Sequence, residues 1–354
     1  MNKSNTLIKL SLAAVVSSIL LSCSTRSSYK AFGGFAQGGT YTVKVNFADV
    51  KISPDEVASS IDSILTLVDT TLSGYNSLSQ LSRLNRGERI RPNQLLMDIY
   101  AYSHEMYGRT GGALDVSSAP LFDIWGFGFT TDSLPEQARV DEALAACGMG
   151  RLADDMHGVL SEDGTLCASD LLKAAGTAPK LNFNAIAQGW TCDMVASYLH
   201  SIGVKDMLVD IGEIYCEGLN PAGRPWTLGV DRPVDGNETP GADLDGIWRS
   251  DGGAYGVVTS GNYRKFYIRD GHKYAHTIDP RTGFPVSHNL LSATVVAPTA
   301  ADADAYATYC MVIGLDAARE FIEGDPNLQG YLIYDADGGM KVWSSSDFFI
   351  ENPE

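Results

Sequence analysis

The sequence predicts an α+β fold, on three observations. Strand-like segments crowd residues 207 to 297 with no helical segment between them, which favours an α+β fold over a doubly wound one. Helical periodicity is confined to two early segments, one central segment and one late one. Gly126-Phe127-Gly128 lacks a third glycine and a strand-turn-helix setting, so a Rossmann site is excluded.

Taken in order, the first strand is expected at Tyr41 to Phe47, where Tyr41, Val43, Val45 and Phe47 alternate. Ser53-Pro54-Asp55-Glu56 is a capping box with proline at the first helical position, and Val57, Ile61, Ile64, Leu65 and Val68 follow at helical spacing. A second helix is expected from Pro92, with Leu95, Leu96, Ile99, Tyr102 and Met106 on one side, ending at Gly111-Gly112. Residues 115 to 131 read as loop. A strand at Lys180–Phe183 and a helix at Ala187–Ile202 follow. Strands are expected at Met207–Tyr215, Trp226–Val230, Ala254–Ser260, Tyr263–Arg269 and Leu291–Ala297, with 236 to 250 an exposed insertion. Thr299-Ala300-Ala301-Asp302 is a second capping box, opening a helix that runs to about Ile313.

The first 22 residues read as an export signal: Lys3 supplies a positive start, and a short apolar stretch to Leu21 is too short to span a membrane comfortably. The Leu20-Leu21-Ser22-Cys23 ending resembles a bacterial lipobox. Cys23 is then the lipidated first residue of the mature chain, 23 to 36 a polar linker, and 37 to 354 the folded domain. Acyl chains hold a protein on a membrane without a spanning helix, each buried methylene contributing about 0.8 kcal/mol. The expected location is the periplasmic or outer side of the cytoplasmic membrane.

A net charge of −17 argues against nucleic-acid partners and means that an anionic substrate needs a local countercharge, which a metal ion can supply. Cys147, Cys167, Cys192, Cys216 and Cys310 show no CxxC pair and no zinc spacing, so they read as small buried hydrophobes.

Four constellations could carry chemistry. Asp304 and Thr308 stand four apart on the late helix, one turn from each other, and are hard oxygen donors suited to magnesium. Alone the pair fits a solvated helix face better than a metal site, but Ala300, Ala301, Ala303, Ala305 and Ala307 around it suit close approach. His276 precedes a tight Pro280–Gly283 turn and is a candidate proton carrier, or else a partner of the turn backbone. Leu181 to Trp190 passes from strand to helix through Asn182, Asn184 and Gln188, which could meet a phosphate or ring edge, unless Asn184 simply caps the helix. Gly111 to Leu121 with Trp125 to Gly128 could wall a planar ligand or form a packed glycine-rich loop.

These segments, GGALDVSSAPLFDIWGFG, NFNAIAQGWTCD, LVDIGEI, TSGNYRKFY, HTIDPRTGFPV and SATVVAPTAADADAYAT, together resemble the ApbE family of FAD:protein FMN transferases over about residues 37 to 315. The resemblance implies two lobes of mixed or antiparallel sheet flanked by helices, with FAD in the cleft. It implies magnesium held by Asp304, Thr308 and the Ala185 carbonyl, and flavin contacts at Gly38, Tyr75, Ala113, Leu114, Asp115, Asn182, Gln188 and Ile278. His276 becomes the general base. Three departures are visible: Gly38-Gly39-Thr40 lacks the family's methionine, Asn182 replaces an aspartate and Gln188 a lysine. The implied reaction moves FMN from FAD to a Ser or Thr hydroxyl of an exported protein bearing D-x-x-[ST]-G-A-[ST], a motif this chain lacks. A magnesium-dependent FAD pyrophosphatase and a non-catalytic FAD-binding lipoprotein are the alternatives.

Overall fold

The computed structural model describes residues 28–127, 134–234, 236–237, 239, 241–262, 266–269, 272–348 and 350–351. The signal segment and Cys23 lie outside them, as does Gly128. β1 (Tyr29–Ala36) and β2 (Gly39–Asn46) form a hairpin in which Ala36 pairs with Gly39. Its two-residue turn, Gln37-Gly38, has φ of 51° and 84°, the left-handed pair that suits the twist of flanking strands. Residues 29 to 36, expected in the linker, are thus part of the sheet. Tyr29, Phe32 and Phe35 carry too little alternation to announce a strand, and pairing with β2 makes one.

α1 (Pro54–Leu72) begins with the expected reciprocal capping box: the Glu56 N–H donates to Ser53 Oγ and the Ser53 N–H to the Glu56 carboxylate. α2 (Gln80–Asn85) and α3 (Gln94–Arg109, capped by Asn93) follow, then α4 (Ala119–Ile124), inside the tract read as loop, and α5 (Gln137–Ala145). The Lys180–Phe183 segment is extended but is no ladder strand. It makes a single bridge, Lys180 to Ser118, while Leu181 and Phe183 go into the core.

α6 (Ala187–Ser201) leads to β3 (Met207–Asp210) and β4 (Ile214–Glu217). The expected single strand over 207 to 215 is therefore a tight hairpin, turned at Gly212 with φ of 92°. β5 (Thr227–Asp231) and β6 (Leu244–Arg249) pair antiparallel. β6 corrects the exposed-insertion reading of 236 to 250, because Trp248 is 1% exposed in the core. Next come β7 (Tyr255–Gly261), β8 (Phe266–Arg269), β9 (His272–Ala275), β10 (Ile278–Asp279), β11 (Phe284–Pro285) and β12 (Leu290–Ala297). α7 (Ala300–Ile313), α8 (Leu315–Glu323), β13 (Gln329–Ala336), β14 (Gly339–Ser344) and β15 (Ile350–Glu351) complete the chain. Thr299 caps α7 by accepting from the Asp302 N–H.

The main sheet has eight strands in the order β1-β2-β3-β4-β7-β12-β13-β14, and every pair is antiparallel, so the mixed alternative is discarded. Alternation along a strand splits its side chains between two faces. Val258, Ala293, Val295 and Ala297 pack towards α7, whereas Val257 and Val296 pack with Trp226, Leu228 and Trp248. Helix α7 is apolar all round because it is enclosed: ten of its residues are buried, Asp304 among them. Cys147, Cys192, Cys216 and Cys310 are buried free thiols, and no disulfide occurs among the described residues.

Candidate active site

The site is built where α6 crosses α7. Gly189 permits the crossing, because a Cβ there would lie 2.2 Å from the Ala300 carbonyl oxygen and 2.8 Å from Asp304 Cβ. Its N–H donates to Asp304 Oδ2 at 3.0 Å. One turn further along α6, Asp193 accepts from the Ala300 and Ala301 N–H groups at 2.9 and 2.8 Å, satisfying donors that the first turn of α7 leaves open. Each helix thus supplies a carboxylate to the other's backbone.

Asp304 is 4% exposed. Burial pushes its carboxyl well above the ordinary range; the negative charge of Asp193 adds to this, and the Gly189 N–H opposes it. Asp193 is likewise raised, to about 6, by burial that outweighs its two backbone donors. No basic side chain among the described residues acts on either carboxyl. A buried carboxylate without countercharge is costly, and a cation relieves that cost. Thr308 follows one helical turn later, and its Oγ1 lies 3.4 Å from Ser260 Oγ on β7. Ala185 sits half-buried in the turn that opens α6, where the Phe183 carbonyl accepts from the Ile186 and Ala187 N–H groups. A carboxylate, a hydroxyl and an adjacent turn carbonyl are hard oxygen donors, and they fit magnesium. No group of three or more His, Cys, Asp or Glu side chains suited to a metal occurs among the described residues.

The His276 segment is tied to the same place. Asn262 Oδ1 accepts from Thr277 Oγ1 at 2.7 Å, and Asn262 is two residues from Ser260. The His276 ring meets Phe127 edge-on at 6.5 Å between centroids. Trp125 Nε1 donates to the Gly283 carbonyl at 2.8 Å, joining the 283 turn to the aromatic loop. Ile278 is 3% exposed and packs with Leu121, Trp125 and Val140.

The remaining expected flavin contacts are placed unevenly. Tyr75 is 78% exposed. Gly38 lies at the hairpin tip, which is held to α6 by Gln37 Nε2 donating to Thr191 Oγ1 at 2.7 Å. Ala113 and Leu114 are buried. The Asp115 carboxylate is already engaged, accepting from the Ser117 N–H and Oγ in its own loop and from the Gly148 N–H beyond α5, at 2.6 to 2.9 Å. Asn182 Oδ1 accepts from the Asn184 N–H at 2.9 Å, a local turn bond. Gln188 Nε2 donates to the Ile211 carbonyl at 3.1 Å. The residue at the α6 N-cap is Ile186, with no side-chain cap, so Asn184 does not serve there.

The ApbE family model matches residues 38–332. The chain belongs to the ApbE family. It is 31% identical over 347 residues to the FAD:protein FMN transferase of Haemophilus influenzae, covering 95% of both chains. It is 32% identical over 348 residues to the enzyme of that name from Vibrio cholerae, covering 95% of this chain and 97% of the relative. The apo crystal structure of the Pseudomonas stutzeri flavinyl transferase ApbE superposes with a TM-score of 0.75 at 29% identity, over 90% of this chain and 95% of that one. Membership accords with the α+β fold and with a flavin-transferring enzyme.

Sequence reasoning missed Asp193, Ser260 and Asn262. Asp193 is four residues from Gly189 on α6, a spacing that would have put both on the α7-facing side. Ser260 is the penultimate residue of β7 and Asn262 follows its end, both within the TSGN segment.

Proposed function

We propose that the chain is a magnesium-dependent FAD:protein FMN transferase that esterifies a Ser or Thr hydroxyl of an exported protein and releases AMP. The observation that carries the reading is the buried Asp304 carboxyl, without a basic partner among the described residues, one turn from Thr308 and bonded to the first turn of α6. Asp304, Thr308 and the Ala185 carbonyl would hold the ion. When bound, magnesium neutralises charge on the FAD pyrophosphate and orients it. Gly38, Tyr75 and the 113–115 loop border the flavin, with Ile278 behind the His276 segment. His276 takes the proton of the acceptor hydroxyl as that oxygen bonds to the FMN phosphorus and AMP departs. The enclosed α6–α7 crossing keeps bulk water from the Asp304 side. The signal-like segment and Cys23 support export and a lipid anchor, with the reaction on the periplasmic or outer side of the cytoplasmic membrane.

The test is incubation of the protein with FAD and an acceptor bearing D-x-x-[ST]-G-A-[ST], with and without magnesium, followed by mass measurement. An acceptor heavier by one FMN, only with magnesium, supports the reading. Free FMN with unmodified acceptor refutes it in favour of hydrolysis, and bound unchanged FAD refutes it in favour of a carrier. The variant His276→Ala is expected to lose about 10²- to 10⁴-fold in rate. Acyl labelling that vanishes in Cys23→Ala checks the anchor.

A further inference from the structure

We propose that Asn262 is a positioning residue for His276, holding the proton acceptor in register with the Thr308 side of the site through Thr277. The inference rests on the function proposed above. His276 and Thr277 lie between the last residue of β9, Ala275, and the first of β10, Ile278, outside both strands. Their orientation therefore depends on specific bonds. Thr277 is held from two directions. Its carbonyl accepts from the Val286 N–H at 3.0 Å, and its Oγ1 donates to Asn262 Oδ1 at 2.7 Å. Threonine is branched at Cβ and stiff about χ1, so a fixed Oγ1 fixes the backbone that carries the neighbouring imidazole.

Asn262 is itself anchored. Its N–H donates to the Leu291 carbonyl at 3.0 Å, at the edge where β7 meets β12. Two residues back, near the end of β7, Ser260 Oγ lies 3.4 Å from Thr308 Oγ1. The Ser260–Asn262 stretch thus touches the proposed metal-holding helix at one end and the proton-acceptor segment at the other. Neither Asn262 nor Thr277 needs to meet the substrate for this. What they set is the separation between base and phosphorus, and an ångström of misplacement costs about 100-fold in rate.

The experiment compares Asn262→Ala, Thr277→Val, Thr277→Ser and the double variant Asn262→Ala/Thr277→Val in the FMN-transfer assay. The 1H–13C ring resonances of His276 in the metal-free protein are recorded alongside. Asn262→Ala and Thr277→Val are expected to lower kcat roughly 10- to 100-fold, with KM for FAD changed less than about twofold. The double variant should be no worse than the poorer single, because both delete one bond. Thr277→Ser, which keeps the donor, should recover kcat to within about threefold. The His276 ring signals should shift in the Ala and Val variants and return in the Ser variant. Additive losses in the double variant, a Ser variant as slow as the Val variant, or unshifted ring signals overturn the proposal. A wild-type protein that transfers no FMN but whose ring signals shift in the expected variants overturns the transferase reading and leaves the positioning role standing.

Discussion

Replacing Gly189 by alanine reverses the usual sign of a helical glycine substitution. In an open helix position the change is worth about 1 kcal/mol of stability, since alanine has less backbone freedom to lose. Gly108 on α3 is such a position, with nothing within 4 Å of its missing Cβ, so Gly108→Ala is the control and should gain about that amount. At Gly189 the new methyl would lie 2.2 Å from the Ala300 carbonyl oxygen and 2.6 Å from its carbon. Both are backbone atoms, and Asp193 pins that backbone through the Ala300 and Ala301 N–H groups. They cannot swing away as a side chain would. The helices must separate by about an ångström, an overpacking cost of roughly 1–3 kcal/mol. Separation also stretches the Gly189 N–H bond to Asp304, and a buried acceptor stripped of its donor costs about 1–3 kcal/mol more. Subtracting the propensity gain leaves a net loss of about 1–5 kcal/mol, or a Tm lower by roughly 2–10 °C for a chain of this size. Thermal unfolding of both variants, with and without magnesium, measures it. The magnesium-induced rise in Tm should shrink in Gly189→Ala and persist in Gly108→Ala. A Gly189→Ala protein as stable as wild type with an intact magnesium response would refute the account of the crossing.

Asp304→Asn should abolish the magnesium-induced rise in Tm, because it removes the charged donor. Without metal, the Asp304 carboxyl titrates above its unfolded value of about 3.9, so the folded wild type holds its proton longer and loses stability as pH climbs from about 4 towards neutrality. The Asn variant lacks this loss, and its Tm relative to metal-free wild type should rise over that window; a flat difference refutes the burial argument. Since a proton and the ion compete for the same oxygens, the apparent magnesium affinity of wild type should tighten over that window, as titration calorimetry can follow. Asp115→Ala should lower stability by about 1–3 kcal/mol in denaturant melts, because the Ser117 N–H and Oγ lose their acceptor while the Gly148 N–H keeps Ser117 Oγ. Tyr75→Ala should raise the KM for FAD in the transfer assay, since the ring offers 78% of its surface to solvent.

The elements that could be read from the sequence are those that carry their own local signal. α1 and α7 have side-chain caps and begin within a residue of where those caps put them. The readings that failed depend on distant partners. β1 is a strand because β2 pairs with it, and β6 is buried because Trp248 finds Trp226 and Leu228 across the sheet. No window of residues 236 to 250 contains that information. In the site, the spacing of Asp304 and Thr308 was legible as one face of one helix. That Gly189 lets α6 touch this helix, and that Asp193 reaches back to cap it, are properties of a crossing between segments more than 100 residues apart.

The two departures at Asn182 and Gln188 bear on how an acidic protein handles a dinucleotide. Gln188 stands where the family pattern has a lysine, yet its amide nitrogen is spent on the Ile211 carbonyl, beside Gly212, where a Cβ would sit 2.5 Å from it. It works as a brace between α6 and the β3–β4 turn, a task an amide does as well as an ammonium. Asn182 is similarly occupied with the Asn184 N–H. Neither residue leaves a charge for phosphate, and the chain as a whole carries −17. Under the function proposed above, a cation at Asp304 would supply countercharge that these two side chains do not. The same burial that makes this carboxyl reluctant to ionise alone strengthens its attraction to an ion once bound, since both act through a low local dielectric.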